Sequence, residues 1–278
     1  MKELYDKVCI KSSKLTTNLY STSFSMGIRF LSKDLRDAIY AVYGLVRFAD
    51  EIVDTFHEFP KERLLQEFKA DTYKAIKDGI SLNPILHSFQ WAVSRYNIDL
   101  ELVETFFNSM EMDLDKSTYN QSEYEKYILG SAEVVGLMCL RIFLNGDTKE
   151  YNRLRDNAMS LGSAFQKINF LRDLSADYQA LGRCYFPGLD VENPTKENFA
   201  AIIADIEKDF KHGYLGILQL PKNARFGVYM AYIYYYRLFK KIQKTPVDKI
   251  LKARIRISNE KKYALFVSSY VKHQLNII

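Results

Sequence analysis

The sequence predicts an all-α protein, and three observations carry that reading. Only 12 Gly and 6 Pro are spread over 278 residues, which leaves little turn chemistry and favours long regular elements. No proline falls between Pro84 and Pro187, so several long helices can follow one another there. No stretch alternates apolar and polar residues between hairpin turns, so essentially no sheet is expected.

Start signals place the helices in chain order. The first covers 2–20, and the second, 33–56, takes Ser32 as its cap. Pro60 precedes the third, 61–78. Asn83-Pro84 reads as cap and first helical residue of the fourth, 84–95. Helices at 99–113, 122–144 and 149–180 fill the proline-free middle. Pro187 lies in a loop, Asn193-Pro194 opens 195–211, Pro221 precedes 222–244, and Thr245-Pro246 opens 247–272. No repeat, low-complexity tract or linker divides the chain, so a single domain spanning 1–278 is expected.

Composition narrows the function. Apolar residues make up 47% and charged residues 26%, which is globular chemistry. The 18 Phe and 20 Tyr can fill a large core or line an apolar cavity. The formal charge of +5 is a mild surplus, and basic residues alternate with acids along most of the chain, so no nucleic-acid partner is expected. The exception is the tail, where Arg254, Arg256, Lys261 and Lys262 cluster. Cys9, Cys139 and Cys184 have neither disulfide nor zinc spacing, which fits a reducing compartment. His57, His87, His212 and His273 show no ligand spacing and read as surface residues. The start of the sequence has no apolar signal core, and no apolar run reaches the ~20 residues that span a bilayer. A soluble, cytoplasmic protein is expected, at most peripheral to the inner face of a membrane. The oligomeric state is not legible.

Two polar stripes stand out. In AIYAVYGLVRFADEIVD, residues 38–54, Arg47, Asp50 and Asp54 share one face of a helix that is otherwise apolar, with Glu51 beside them. In GSAFQKINFLRDLSAD, residues 162–177, Gln166, Asn169, Asp173 and Asp177 follow an i, i+3, i+7, i+11 line that Gly162 extends, and Arg172 stands beside it. Carboxylates at i and i+4 repel one another without a cation. Magnesium reverses the sign, since it is held by one or two carboxylates together with substrate phosphates. Two such pairs could clamp a diphosphate through bridging metal ions, with the arginines neutralising the remaining charge. The plainer reading of an i, i+4 acidic pair is a solvated helix face. Against it, both pairs lie on apolar helices and both have arginine within three residues.

These residues resemble the squalene and phytoene synthases. DEIVD is similar to the family's first acidic motif and gives Asp50 and Asp54 as metal ligands, approached by Tyr43 and Arg47. NFLRDLSAD resembles the second, with Asn169, Arg172, Asp173 and Asp177, Gln166 upstream and GRCYFP (residues 182–187) downstream. Ser21, Ser23 and Phe24 resemble an N-terminal element near the diphosphate. Asp113, Tyr127, Val135 and Gly136 resemble the middle helices that line the prenyl cavity, and Tyr235, Arg254 and Lys261 the late elements. The resemblance covers most of the chain. Three departures accompany it: Ala176 stands where the family usually has Glu, Glu133 replaces a common glycine, and the loop between Asp177 and Arg183 is one residue longer.

The resemblance implies an isoprenoid-synthase-type helical bundle around a central apolar cavity. It also implies a magnesium-dependent prenyltransferase, with manganese as a substitute. Its metal ions would be held by Asp50, Asp54, Asn169, Asp173 and Asp177, and its substrates would be prenyl diphosphates. The expected reaction is head-to-head condensation of two geranylgeranyl diphosphates to phytoene, through a cyclopropyl diphosphate and without NADPH. Tyr127, the leaving diphosphate and water are the candidates for the base. Squalene or dehydrosqualene formation from two farnesyl chains is the alternative within the family, and squalene would need NADPH. A terpene cyclase fits the second motif poorly. A catalytically silent scaffold relative would be marked by loss of the aspartates, and all four are present. The apolar products make transient membrane contact a further expectation.

Overall fold

A computed structural model describes residues 1–115 and 117–257. Among them every regular element is helical, and an isolated bridge between Thr118 and Cys184 is the nearest approach to a sheet. The order is α1 (Lys2–Tyr20), α2 (Thr22–Arg29), α3 (Lys33–Thr55), α4 (Lys61–Asp78), α5 (Pro84–Tyr96), α6 (Leu100–Asp115) and α7 (Gln121–Ile128). A π-helical turn (Leu129–Glu133) then leads into α8 (Val134–Phe143). The chain continues through α9 (Thr148–Leu181), α10 (Lys196–Ile217), α11 (Lys222–Gln243) and the short α12 (Val247–Ile250).

Local chemistry explains most boundaries. Asn83 Oδ1 accepts from the backbone N–H groups of Ile85 and Leu86 ahead of Pro84, the predicted capping. Asp147 caps α9 in the same way, and Asn120 with Glu123 forms a reciprocal capping box on α7. Gly182, at φ +63, ends α9 in a left-handed cap and sends the chain back toward Arg183.

Several boundaries differ from the sequence reading. The α2 helix was not expected. Ser21 closes α1 and also caps α2 by accepting from Phe24 N–H, so two helices meet at one serine with no Gly or Pro between them. The span 122–144 is broken by the π turn. Thr195, not Asn193, caps α10, because Asn193 is held in a turn by Asp190. Thr245 donates back to Lys241 O and leaves α12 without a side-chain cap. The last expected helix, 247–272, is helical only over Val247–Ile250 among the described residues. Its later part, with Lys261, lies outside them, as does His273. Ser32 occupies the cap position of α3, but its hydroxyl makes no capping bond. His87 is buried, not superficial. It is held between Asp6, 2.7 Å from Nε2, and the N–H of Ser81, which donates to Nδ1.

Apolar burial forms two clusters. One gathers α3 to α6 and α8, with Tyr40, Leu45, Phe89, Phe106 and Leu137 at its centre. The other gathers α7 and α9 to α11, around Ile168, Leu171, Phe210, Met230 and Phe239. Close crossings tie them together. A Cβ at Gly162 of α9 would stand 2.6 Å from Ala132 O, and one at Gly136 of α8 would stand 2.9 Å from Ala158 O. Glycine therefore lets α9 pack backbone to backbone against the π turn and α8. The cavity between the clusters takes its walls from both.

Candidate active site

The cavity has a volume of about 560 Å³ and a polar end and an apolar end. Helix α3 is buried nearly all round, as its sequence predicts, and its few charged residues at the C-terminal half reach the polar end. Arg47, Asp50 and Asp54 border the cavity there, and Tyr43 borders it one turn deeper. Across from them, α9 presents Gln166, Asn169, Asp173 and Asp177 in one line, with Arg172 beside it. Deeper in, Ile28, Leu31, Ile39, Leu140, Phe143 and Leu154 make an apolar sleeve.

Most carboxylates at the polar end have an arginine; Asp177 pairs with none among the described residues. Arg47 donates to Asp50 at 2.6 Å and to Glu51. Arg172 and Arg254 both grip Asp173, each with a contact of 2.6 Å. Arg183, buried, reaches Asp54 at 3.2 Å, the Asp113 carboxylate at 3.4 Å, and the Asp113 carbonyl at 2.8 Å. Asp113 in turn accepts from Tyr127 at 2.5 Å and from Tyr119 at 3.0 Å. Tyr235 donates to Asn169 at 3.3 Å and stacks on Phe165.

The charge is nevertheless not balanced. Burial, then repulsion from Asp54, pushes the Asp50 carboxyl up to about 7 although Arg47 opposes the shift. Asp50 keeps 34% of its side chain exposed, and that side chain borders the cavity. Burial followed by repulsion from Asp173 and Asp54 pushes Asp177 up to about 6, so the α3 and α9 pairs sense each other across the space. Burial pushes Asp113 up to about 7 against Arg183 and the Tyr127 hydrogen bond. A cation among these groups would draw the shared values down. Among the described residues no three Asp, Glu, His or Cys converge as a ready-made metal cage. Two facing carboxylate pairs suit instead a hard cation that keeps waters and takes the rest of its shell from phosphate oxygens. Two buried polar atoms, Arg47 Nε and Ser131 Oγ, lack a hydrogen-bond partner among the described residues, and both residues border the cavity.

Most of the residues singled out in the sequence meet here. Ser21, Phe24, Tyr43, Arg47, Asp50, Asp54, Tyr127, Gln166, Asn169, Arg172, Asp173, Asp177, Tyr235 and Arg254 all line the cavity, with Val135 and Gly136. Ser23 does not, since the turn of α2 aims Ser21 and Phe24 inward instead. Asp113 sits behind the wall, under Tyr127. Ala176 is exposed and off the cavity, so this departure from the family pattern takes no acid from the wall. Glu133 lies beside the Lys167–Asp209 pair, away from the cavity. Sequence reasoning gave no role to Arg183, Tyr185 or Ser131. The segment 182–187 was the signal for the first two, but only the return of the chain after Gly182 shows Arg183 serving two aspartates at once.

Fold and site together define an all-α isoprenoid synthase: a helical bundle around an apolar cavity with facing carboxylate pairs at one end. The sequence model of the squalene/phytoene synthase family matches residues 17–261, and the chain belongs to that family, whose members are prenyltransferases. It is 25% identical to phytoene synthase 1, chloroplastic, of Solanum lycopersicum, over 98% of this chain and 69% of that protein. To 15-cis-phytoene synthase of Pantoea ananas it is 26% identical, over 80% of this chain and 79% of the relative. The crystal structure of a dehydrosqualene synthase in complex with ligand superposes with a TM-score of 0.81 at 18% identity, covering 98% of each chain. That likeness shows the shared fold.

Proposed function

We propose that the protein joins two geranylgeranyl diphosphates head to head to give phytoene, without NADPH. The observation that carries this is the pairing of two arginine-braced aspartate couples across the polar end of one continuous apolar cavity. The length of the chains is the finer step, and the similarity to phytoene synthases over most of the chain supports it.

Asp50, Asp54, Asn169, Asp173 and Asp177 would hold magnesium, or manganese in its place, which when bound supplies Lewis-acid neutralisation of a departing diphosphate. The chain's own residues do the rest. Arg172 and Arg254 are aimed by Asp173 and present guanidinium donors toward the same end, where phosphate oxygens pair with them in bidentate fashion. Arg47 borders the same end and adds its positive charge there. The sleeve below excludes water from an allylic cation, and Phe165, Phe170, Tyr185 and Tyr235 border the upper cavity with aromatic faces that stabilise positive charge. Holding both chains side by side is the orientation task of that sleeve. Tyr127 is the base candidate that the geometry favours. Burial holds its phenol protonated, and its hydroxyl lies 2.5 Å from Asp113 Oδ2. A proton taken at Tyr127 Oη would be matched by the phenol proton passing to Asp113.

The test is an incubation with magnesium and radiolabelled geranylgeranyl or farnesyl diphosphate, with and without NADPH, followed by mass spectrometry of the hydrocarbons. Phytoene from the longer substrate without NADPH is the expected result. Squalene or dehydrosqualene from the shorter one would overturn the chain length and keep the site. No hydrocarbon from folded protein would overturn the catalytic reading.

A further inference from the structure

Helix α1 is amphipathic in the inverted sense. Its buried residues are Cys9, Ser13, Thr16 and Thr17, all small and mostly polar, lying against α3 and α5. Ser13 bonds Ser88 at 2.6 Å, and the Thr16 and Thr17 hydroxyls bond back to their own helix. The larger apolar residues point the other way. Leu4 is 62% exposed, Val8 50%, Leu15 59% and Leu19 74%. At about 100° per residue these four fall within about 60° of one another, so they form one stripe along a helix about 28 Å long. Single exposed leucines are ordinary, whereas an aligned row of them on a helix that buries serine and threonine marks a surface that is covered by something else.

Charge identifies the cover. Lys7, Lys11 and Lys14 are all exposed and lie along one edge of the stripe. An apolar face flanked by lysines is the chemistry of a helix lying in the interface of an anionic bilayer. A second copy of the chain fits less well, because an antiparallel two-fold contact along this stripe would bring the same lysines together. At the N-terminal end Tyr5 bonds Ser81 O, which sets exposed Ile80 and Leu82 beside the stripe. At the other end Tyr20 borders the cavity and lies under the Arg47 guanidinium at 4.3 Å. The stripe thus runs straight to the polar end of the site.

We propose that the outer face of α1 docks the protein on the surface of an anionic lipid bilayer and brings the polar end of the cavity to the headgroup layer. A substrate with an anionic head and a long apolar tail then enters from the phase it already occupies. The docking surface stands on exposed residues alone and does not depend on which prenyl diphosphate is used.

Flotation of the purified full-length chain tests it, with vesicles of phosphatidylcholine alone and of phosphatidylcholine mixed with phosphatidylglycerol. The unaltered protein is expected to float with the mixed vesicles and to be released by high salt. The triple variant Leu4→Gln, Val8→Gln, Leu15→Gln is expected to partition at least ~10-fold less, with an unchanged thermal melt. The pair Lys7→Gln, Lys11→Gln should lose the preference for phosphatidylglycerol. Equal flotation of the triple variant would overturn the proposal. So would an unaltered chain that ignores both vesicles, or one that sediments as a dimer which the triple variant dissociates. Flotation needs no turnover, so none of these results bears on the assigned reaction.

Discussion

On α3, Asp50 shares Arg47 with Glu51, and Asp54 shares Arg183 with Asp113. On α9, Asp173 has two arginines to itself, while Asp177 has no ion pair among the described residues and is pushed up to about 6. The spacing is the same and the compensation is opposite. The α3 pair is short of positive charge, which is the condition that favours a cation. Asp173 is already paired with two guanidiniums, so in the proposed site it would hold them toward a phosphate as well as serve the metal. In the proposed site, two motifs that look alike as i, i+4 acids would therefore divide the work of binding a metal diphosphate.

The largest expected effect tests whether both halves are needed. Asp50→Asn and Asp173→Asn are each expected to lower turnover by at least ~1000-fold at saturating magnesium, while circular dichroism shows intact helices. Turnover within tenfold of normal in either variant would remove that half from the clamp. Arg183→Gln should act on stability. It leaves Asp54 and buried Asp113 without their shared cation, and urea unfolding should show a loss of about 3–5 kcal/mol.

A pH titration separates the halves further. The folded-state values of Asp50, Asp113 and Asp177, at about 7, 7 and 6, lie above the ordinary carboxylate value. The metal-free fold then binds more protons than the unfolded chain, so its stability falls as pH rises through about 6 to 7. Thermal melts between about pH 5 and pH 8 should show that decline, and Asp50→Asn should shallow it. A melt that rises with pH over this range would contradict the under-compensated α3 pair. The smallest effect is expected for Arg254→Gln. Arg254 is 43% exposed and Arg172 remains on Asp173, so stability should change by less than about 1 kcal/mol while the substrate KM rises several-fold.

The sequence made the two stripes legible because helical periodicity places residues on a face and apolar surroundings mark that face as internal. It could not show what lies opposite. Arg183 follows Asp54 by 129 positions and finds it only through the fold. Ser23 and Ser21 look equivalent in YSTSF, and α2 alone decides that Ser21 faces the cavity. His87 read as a surface residue because its partner, Asp6, is 81 positions away. The α2 helix itself escaped notice because a serine can end one helix and start the next without the Gly or Pro that usually marks a break. Asn193 and Thr245 misled for a related reason, since a side chain able to cap can equally bond backward.

The π turn at Leu129–Glu133 is, in effect, one extra residue stored inside a helix. Tyr127 lies before it and Val135, Cys139 and Phe143 after it, all on the cavity wall. Closing this turn to ordinary α spacing at unchanged length would rotate everything beyond it by about 100°. Cys139 and Phe143 would leave the wall, and their core-facing neighbours would enter it. Loss of one residue here would instead be absorbed by the turn and keep Cys139 and Phe143 on the wall, so the turn lets the helix differ in length by one residue without changing the shape offered to the prenyl chain.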